Sequence, residues 1–400
     1  MLLAALALAR LIVSPAGPYR TVAEAIAAAA PGDTIEIRAG HYREGPLVLE
    51  RPVTIEGVGD PTIEGAGEHT ILTIKASDVS VRGLVIRHVL PSGVEDRAAI
   101  KLESAARIRV IGNRIEDAYF GIHGGDVRDV EVRDNLVRGP GRSNRESGNA
   151  IHFWSSERVT VTDNEVTGHR DGLYLEFVRA SRLAGNRSHD NRRYGMHFMF
   201  SDSTEYRGNR FERNGVGVAV MYSKRVTMEG NLFVSNVGQA AYGLLLKDIN
   251  DSRIVDNEFT GNTVGLYLEG SNRQEVRGNR FSGNGWAVRV LANSDHNAFE
   301  ENSFVGNAFD VATNSRSATS RFGGNFWDQY RGYDLDGDGR GDVPFRPVRL
   351  FSLVVERNEP ALILLRSIFV SLLDQAERLL PILTPDALTD RAPLMEPPRR

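Results

Sequence analysis

Histidine and methionine side chains recur in glycine-led segments of this 400-residue sequence, which contains no cysteine. If these segments are strands stacked turn upon turn, adjacent strands lie about 4.8 Å apart and side chains alternate between the interior and the outside. The side chains that then share one outer face are His152, His197, Met199 and Met221. Imidazole together with thioether suits Cu(I), and no thiolate can contribute. The pattern predicts a transient copper site, with an aromatic and apolar strip that packs against a protein as an equally supported alternative.

Two outward columns result when the segments are aligned by their glycines. The first column reads His123, His152, Tyr174, His197, Ala219, Leu245, Tyr267 and Arg289. The second reads Gly125, Trp154, Glu176, Met199, Met221, Lys247, Glu269 and Leu291. Met196 points inward in this register, which predicts a core position. The sequence predicts no role for His41, His69, His88, His169, His189 and His296.

A second set of ligand-type side chains is an aspartate-rich loop near the C-terminal end. Its carboxylates occupy loop positions 1, 3, 5 and 9, with glycine at position 6, as in a calcium loop; they are Asp334, Asp336, Asp338 and Asp342. Phe345 stands where the bidentate glutamate of an EF-hand belongs, and no helix clearly precedes the loop. The pattern therefore predicts a smaller Ca²⁺ site, with a hydrogen-bonded Asx turn as the alternative.

The elements that must position these side chains repeat along the chain. Asparagines recur at intervals of 22 to 26 residues, and most are followed by another asparagine five residues later and then by a glycine-led apolar segment. A period of this length indicates a solenoid, whose coils bury their apolar faces against their neighbours. The first asparagine of each unit is Asn164, Asn186, Asn209, Asn231, Asn257, Asn279 and Asn302.

The composition of the repeat selects among solenoids. Helical repeats need roughly 33 or more residues per unit and are excluded, whereas leucine-rich repeats share the period. Leucine is sparse at the apolar positions, which are mostly Val, Ile, Phe and Tyr, the residues favoured in strands. The sequence therefore predicts an all-β parallel β-helix in which stacked asparagines form hydrogen-bonded ladders.

The ends of the chain differ from the repeat. Residues 1–13 are predicted to be an export signal that lacks a basic start, with a cleavage site at Ala7-Leu8-Ala9 and a buried first strand or cap as the alternative. A capping box at Thr21 opens a short helix that caps the solenoid. We expect the β-helix over 14–320, the aspartate-rich region over 321–349, and a helical tail with a polar C-terminus over 350–400.

The tail and the net charge bear on partners. Apolar residues at helical spacing follow Pro360, but charged residues interrupt them, so no membrane span is predicted. The default interpretation is a C-terminal cap, yet the apolar surface is wider than one packed face and leaves room for a partner. The net charge of −4 indicates no nucleic-acid partner.

Sugar chemistry is the main alternative for a chain of this fold, since β-helices also carry carbohydrate-active enzymes. A hydrolase needs two carboxylates roughly 5–9.5 Å apart. Glu176 and Glu269 are four coils apart, roughly 19 Å, and the direction of Asp171 is not defined by the sequence. The residues therefore make only a weak case for a catalytic site.

Several strings resemble the NosD family, and the resemblance covers nearly the whole chain. The most specific is Tyr-Gly-Met-His-Phe-Met-Phe-Ser over 194–201, because a generic β-helix repeat does not dictate it. The other matching segments are 172–177, 217–223, 241–248, 284–287, 325–334, 341–347 and 364–367.

This resemblance implies a periplasmic, right-handed β-helix with carbohydrate-binding-and-hydrolysis (CASH) repeats and no catalytic activity of its own. It implies association with an ABC transporter made of a permease and an ATPase, with the tail at 360–380 as the dock onto the permease. With a copper chaperone, such a protein helps deliver copper to apo nitrous oxide reductase. A β-helical carbohydrate-active or carbohydrate-binding protein, and a scaffold that holds no metal, are the alternatives.

Overall fold

The computed structural model describes residues 8–141, 147–314, 319–364 and 388–398, together with residues 367, 368, 370, 372, 373 and 375. The chain divides into two compact units, Met1–His197 and Phe198–Arg400. Within each unit, short strands pair in parallel with the strands of the next coil. Ala106–Ile111 pairs with Arg128–Arg133 in the first unit, and Tyr242–Lys247 pairs with Val264–Glu269 in the second. Each unit is therefore a parallel β-helix, which confirms the predicted fold class.

The first unit contains a helix, α1 (Val22–Ala28), and a series of strands, the last of which ends just beyond the unit boundary. The strands are β1 (Arg10–Val13), β2 (Thr34–Arg38), β3 (His41–Arg43), β4 (Leu47–Leu49), β5 (Thr54–Val58), β6 (Thr62–Gly67), β7 (Leu72–Ile74), β8 (Ser80–Arg82), β9 (Val85–Val89), β10 (Ala98–Glu103), β11 (Ala106–Ile111), β12 (Arg114–Ala118), β13 (Phe120–Gly125), β14 (Arg128–Arg133), β15 (Leu136–Arg138), β16 (Asn149–Trp154), β17 (Glu157–Thr162), β18 (Glu165–Thr167), β19 (Asp171–Glu176), β20 (Arg182–Ala184), β21 (Arg187–His189) and β22 (Tyr194–Met199).

The second unit continues with strands and ends with a helix, α2 (Leu350–Arg357), and a 3₁₀ helix (Glu359–Leu364). Its strands are β23 (Glu205–Arg207), β24 (Arg210–Glu212), β25 (Val216–Met221), β26 (Thr227–Glu229), β27 (Leu232–Val234), β28 (Tyr242–Lys247), β29 (Arg253–Val255), β30 (Glu258–Thr260), β31 (Val264–Glu269), β32 (Glu275–Arg277), β33 (Arg280–Ser282), β34 (Trp286–Val290), β35 (Ala298–Glu300), β36 (Ser303–Val305), β37 (Phe309–Thr313), β38 (Arg321–Gly323) and β39 (Phe326–Trp327).

Three sheets, named A, B and C here, run along each unit. In the first unit their strand orders are β1-β2-β5-β8-β11-β14-β17-β20 for A, β3-β6-β9-β12-β15-β18-β21 for B, and β4-β7-β10-β13-β16-β19 for C. In the second unit they are β23-β26-β29-β32-β35-β38 for A, β24-β27-β30-β33-β36-β39 for B, and β25-β28-β31-β34-β37 for C.

The N-terminal end is closed as its sequence signals predict. The side chain of Thr21 accepts from the backbone of Glu24, and the Glu24 carboxylate accepts from the backbone of Thr21, so the capping box that opens α1 is present. Residues 1–7 of the predicted export signal lie outside the described residues. The rest of that segment reaches into the fold, because Arg10–Val13 form β1 and pair with β2.

Stacked asparagines hold the bends of successive coils in register. In the second unit the Asn257 amide donates to the Asn279 carbonyl oxygen at 3.0 Å and accepts from the Asn231 amide at 2.9 Å. The same relation joins Asn113, Asn135, Asn164 and Asn186 in the first unit. In both units the Nδ2 atoms also donate to backbone carbonyl oxygens. These buried side chains satisfy backbone groups that a bend leaves unpaired, and the predicted ladders are confirmed.

Aromatic rings and glycines fill and tighten the coils of the second unit. The Phe233, Phe259 and Phe281 rings stack almost parallel, with centroids 4.6 and 4.7 Å apart. A Cβ atom at Gly265 would lie 2.6 Å from the Ala287 carbonyl oxygen, so the start of this strand must be glycine. The glycine-led pattern therefore records close backbone contact between coils.

The C-terminal end of the second unit is covered by its helix and by the last part of the chain. Phe351 and Val355 of α2 pack with Val370 against Phe309 of β37. The helix predicted to begin at Pro360 is preceded by α2, and residues 365, 366, 369, 371, 374 and 376–387 of the predicted tail lie outside the described residues. No helix in the described ranges has the length and apolarity required to cross a bilayer.

The predicted polar C-terminus returns to the β-helix at Asp390. This fully buried carboxylate accepts from the backbone of Gly324 and Asn325 at 3.0 and 2.9 Å, and from the Trp327 indole at 3.1 Å. It also accepts from the Asn325 side chain at 3.1 Å, so it occupies the position of the next rung of the asparagine ladder. The sequence alone gives no signal for this closure.

Candidate metal centre

The outer face of sheet C in the first unit carries the first predicted column. Strand pairing aligns His123 with His152 and His152 with Tyr174, which confirms the predicted register for these positions. The residues between them point inward, and Met196 is fully buried, as predicted. The column is half-buried to buried, and His123 and His197 are only 8% and 6% exposed.

The rings of this column contact one another in a continuous row. The centroid of His123 lies 4.7 Å from that of His152, which lies 4.5 Å from that of Tyr174. The Tyr174 centroid lies 4.9 Å from that of His197. Each pair is edge-to-face, the arrangement that aromatic rings prefer. Phe120 packs against both His123 and His152 and helps to exclude water from the row.

Three ring nitrogens in this row have no hydrogen-bond partner within the described ranges. They are the Nδ1 atom of His123 and the Nε2 atoms of His152 and His197, and all three are buried. A buried polar atom without a partner costs roughly 1–3 kcal/mol and calls for a functional explanation. Imidazole nitrogen is a common metal ligand, so a metal ion would satisfy these atoms.

Burial keeps these imidazoles neutral. It lowers the pKa of His123, lowers that of His152 well below its ordinary value, and lowers that of His197 to about 4. The Asp171 carboxylate opposes the change in the pKa of His197, and the Arg193 guanidinium reinforces it. Neutral imidazole is the form that binds metals, so at neutral pH protons do not compete for these nitrogens.

The other ring nitrogen of His197 faces a buried ion pair. Arg193 donates from Nε and Nη2 to the fully buried Asp171 carboxylate at 2.9 and 2.6 Å. The Nδ1 atom of His197 lies 3.4 Å from Nη2 of Arg193 and 4.0 Å from Oδ2 of Asp171. Because a guanidinium nitrogen can only donate, Nδ1 of His197 is the acceptor in this contact, and a metal on Nε2 requires the other tautomer, with the proton on Nδ1. The Asp171–Arg193 ion pair thus contacts the ring of His197 and limits its orientation.

The spacing of the row limits how one ion can bind. Ligand nitrogens lie about 2.0–2.1 Å from a bound metal such as zinc, whereas the Tyr174 ring stands between the rings of His152 and His197. A single ion held by both histidines would require displacement of that ring. Adjacent imidazoles at His123 and His152 are closer to a shared site. The geometry therefore suits separate binding positions, each with one imidazole ligand, better than a single site with several ligands.

Both predicted methionines belong to the second unit, and Met199 is the last residue of the strand that contains His197. Both Met199 and Met221 are partly exposed, and the Phe200 backbone donates to the Met221 carbonyl oxygen at 3.1 Å. Phe200 and Tyr222, which follow the methionines, stack with centroids 5.0 Å apart and are 42% and 43% exposed. The metal-ligand set His152, His197, Met199 and Met221 stays a prediction.

The aromatic residues beside the methionines adopt a strained backbone. The φ angles of Phe200 and Tyr222 are 48° and 53°, in the left-handed region that bulky side chains rarely occupy. Phe177 and Asp248, which also directly follow strands of sheet C, have φ angles of 54° and 52°, so this conformation is a feature of the repeated bend. Sequence reasoning did not single out these two residues, nor Arg193, and it placed His123 in the column but outside the ligand set.

The aspartate-rich loop brings three of its four predicted ligands together. Oxygen atoms of Asp334, Asp336 and Asp338 lie within 4.8 Å of one another. The hydrogen bond from the backbone of Gly339 lowers the pKa of Asp334, burial opposes this change, and the hydrogen bond from Gly337 reinforces it.

The fourth predicted ligand of the loop lies apart from this group. The Asp342 carboxylate accepts from the backbone of Leu335 at 2.7 Å. Phe345 packs against Trp327, with centroids 5.2 Å apart, and therefore has a core role. The calcium site remains a prediction.

The carboxylates weighed for sugar chemistry are engaged in contacts. Asp171, whose direction the sequence did not define, is paired with Arg193 and completely buried. Glu176 accepts from the Tyr174 hydroxyl at 3.1 Å. Neither is a free carboxylate facing an open cleft, so the described geometry gives no support for a glycosidase pair.

The fold and these donors define a class, that of parallel β-helix proteins with a row of neutral imidazoles on one sheet face. A family model described as "Periplasmic copper-binding protein (NosD)" matches residues 133–332. The chain belongs to the NosD family.

Relatives of this chain carry a name that points to transport. Proteins named "Probable ABC transporter binding protein NosD" are 28% identical to it in Pseudomonas aeruginosa and in Stutzerimonas stutzeri. The first alignment covers 90% of this chain and 88% of the relative, and the second covers 90% and 86%.

Solved structures resemble the chain in fold alone. The catalytic unit of a GH87 alpha-1,3-glucanase from Streptomyces thermodiastaticus superposes with a TM-score of 0.62 over 76% of this chain and 65% of the glucanase. The two are 17% identical. This likeness supports the β-helix and says nothing of the reaction, because unrelated activities share the fold.

Proposed function

We propose that this protein is a periplasmic maturation factor that assists copper delivery to apo nitrous oxide reductase and is not itself an enzyme. The observation that carries the proposal is the row of buried, neutral imidazoles with unpartnered nitrogens at His123, His152 and His197. Membership of a family described as copper-binding supports it. The resemblance stated from the sequence supplies the reductase and the copper chaperone as partners.

In this proposal copper binds transiently at successive positions on the outer face of sheet C and is not held in one multi-ligand site. Each imidazole offers one nitrogen, and the tyrosine ring between His152 and His197 keeps them from forming one site. Low coordination number suits Cu(I), and the thioethers of Met199 and Met221 are soft donors for the same ion. Binding through a single ligand is weak and short-lived, as a protein that transfers copper to another protein requires. The Asp171–Arg193 ion pair orients the His197 ring.

The experiment is a titration of the purified protein with Cu(I) against a competing chelator under reducing conditions. The test variant combines His152→Ala, His197→Ala and Met199→Ala. The matched control, His69→Ala, His296→Ala and Met395→Ala, removes the same residue types from exposed positions. We expect the test variant to bind copper roughly ten-fold or more weakly, and the control to bind like the wild type.

Two other outcomes overturn parts of the proposal. Equal copper affinity in the wild type and the test variant shows that this face holds no metal. If neither binds copper while the variant still loses its partner, the protein is a scaffold. Turnover or tight binding of a polysaccharide would identify a carbohydrate-active or carbohydrate-binding protein instead.

The ABC transporter is the proposed membrane partner, in accord with the names of the relatives. The dock onto its permease is the tail at 360–380. Among the described residues of this segment, Ile363 and Ile368 are 89% and 81% exposed. Apolar side chains so exposed indicate a surface that a partner covers. The ATPase acts through the permease.

A further inference from the structure

An open cleft of about 920 Å³ lies at the C-terminal end of the second unit. It is built from three stretches of chain, namely the region around β38, residues 340–346, and residues 389–392 of the returning C-terminal segment. This volume is far larger than a single small anion requires and lies within the range of about 300–1,000 Å³ that ligand sites occupy. None of the proposed copper ligands is among the described residues that line this cleft.

Arginine dominates the charge of the cleft. Its walls contain Arg321, Arg340, Arg346 and Arg391, and the only carboxylates among its described lining residues are Glu300 and Glu301. Arg321 lies 2.8 Å from Glu300, and Glu301 lies 2.8 Å from Arg277. Both glutamates are therefore already neutralised. The cleft is positive although the whole chain carries a net charge of −4.

Two of these arginines face solvent and lack an ion-pair partner among the described residues. In the described part of the chain, the guanidinium groups of Arg340 and Arg391 make no ion pair, and both side chains are exposed. The carboxylates of the nearby aspartates hydrogen-bond to the loop backbone and form no ion pair with Arg340 among the described residues. Asp338 accepts from the backbone N–H of Arg340 itself at 2.7 Å, and Asp334 accepts from that of Gly339.

The backbone under these arginines is held in place. Arg340 pairs with Leu394 as an antiparallel bridge, and Gly341 donates to the Pro393 carbonyl oxygen at 2.7 Å. Arg391 follows the buried Asp390, whose carboxylate binds the end of the ladder. A site whose backbone is fixed in advance loses less conformational entropy when a ligand binds.

We propose that this cleft binds an acidic peptide segment of a partner protein. Guanidinium groups recognise carboxylates through paired N–H···O bonds, and several arginines around one open cleft match several carboxylates along an extended chain. An open cleft admits a segment that enters and leaves, whereas a small anion would fill only part of it. The interaction brings a partner to the C-terminal end of the β-helix through charge complementarity.

The test measures binding of fluorescein-labelled hexaglutamate to the full-length protein by fluorescence anisotropy, at low salt and at about 0.15 M salt. The cleft variant is Arg340→Glu with Arg391→Glu. The control, Arg128→Glu with Arg138→Glu, changes the net charge equally at exposed positions of the first unit. We expect at least about ten-fold weaker binding for the cleft variant, wild-type binding for the control, and weaker binding by both at the higher salt.

Three results would overturn the proposal. These are equal hexaglutamate affinity in the cleft variant and the control, no binding by the wild type, and displacement of hexaglutamate by inorganic phosphate at equal concentration, which would indicate a site for small anions. If circular dichroism shows that the charge-reversed protein is unfolded, Arg340→Gln with Arg391→Gln replaces it under the same expectation.

Discussion

At the scale of single residues, burial decides the chemistry of the histidines. His123, His152 and His197 stay neutral because their rings are withdrawn from water by their neighbours in the row, and His169 is neutral for the same reason with burial lowering its pKa to about 4. Neutral rings are ready to bind metal but cannot be protonated without cost. The same property links the stability of the first unit to pH.

We expect the first unit to lose stability as the pH falls from about 6.5 to 4. An unfolded histidine titrates near 6.5, whereas His169 and His197 titrate near 4 in the fold, so over this range the unfolded state binds more protons. Each of the two contributes up to about 3 kcal/mol, present in full above pH 6.5. Urea unfolding at pH 7 and at pH 4.5 measures the loss.

His169→Phe supplies the comparison for this measurement. Since phenylalanine does not titrate, the variant should show a smaller loss of unfolding free energy between the two pH values. An identical loss in the wild type and in the variant would contradict the assignment for His169.

A calcium titration tests the aspartate-rich loop at the same scale. Asp334, Asp336 and Asp338 bring oxygen atoms within 4.8 Å of one another, so we expect Ca²⁺ to bind and to raise the melting temperature by mass action. Asp336→Asn with Asp338→Asn should abolish this shift. The same shift in that variant, or none in the wild type, would leave the loop as an Asx turn.

At the scale of elements, the bends between strands contribute to the stability of the β-helix as the strands do. Many strands are only three residues long, too short to be stable alone. The asparagine ladders connect each bend to the next, and the stacked phenylalanines fill the interior between them. The stability of a solenoid is approximately the sum of the stabilities of its coils and of the interfaces between them. A substitution that weakens one bend therefore also destabilises the adjacent coils.

Asn257→Ala should therefore destabilise the second unit by about 3 kcal/mol or more, because several buried groups lose partners together. The Asn257 side chain donates to the carbonyl of Met228 and accepts from the backbone of Asn231, both at 2.9 Å. Asn293→Ala, at an exposed turn, is the control and should change the unfolding free energy little. Chemical denaturation measures the unfolding free energy of both variants. An equal loss in Asn257→Ala and Asn293→Ala would contradict the prediction.

At the scale of the whole molecule, the described residues on either side of the tail are joined to one another in the second unit. Phe345 and Asp390 bridge each other, and Leu394 bridges Phe326 and Arg340. The return of the C-terminal segment closes the ladder and completes the arginine cleft. A truncation within the tail would remove this closure together with any dock, so point substitutions separate the two roles.

Ile363→Glu with Ile368→Glu should abolish co-purification with the permease and leave the unfolding free energy within about 0.5 kcal/mol of the wild type, as surface changes usually do. The control is Val94→Glu with Val237→Glu, which alters exposed apolar positions 96% and 63% accessible. Retained co-purification of the tail variant would refute the dock, and strong destabilisation would show that the tail is a cap.

Asp390→Ala should lower the melting temperature, since five N–H donors lose one acceptor. Asp390→Asn keeps the shape of the side chain but turns an amide towards some of those donors, so we expect a smaller loss. Calorimetry of the two variants ranks them, and an unchanged melting temperature for both would show that the closure is not structural.

The sequence by itself determined the features that recur. The asparagine interval, the glycine-led strands and the β-branched core positions specify a coil, and a coil stacked on copies of itself fixes the register that aligns His123, His152 and Tyr174. Because each coil contacts only its neighbours, the local pattern of one repeat is sufficient to predict how successive coils stack.

The tertiary structure alone decided what does not repeat. The return of Asp390 over 60 residues to the end of the ladder and the pairing of Arg193 with Asp171 both depend on side-chain contacts. No period in the sequence encodes such contacts. Burial, which sets the protonation of the histidines, is likewise a property of the packed coil and cannot be read from residue types.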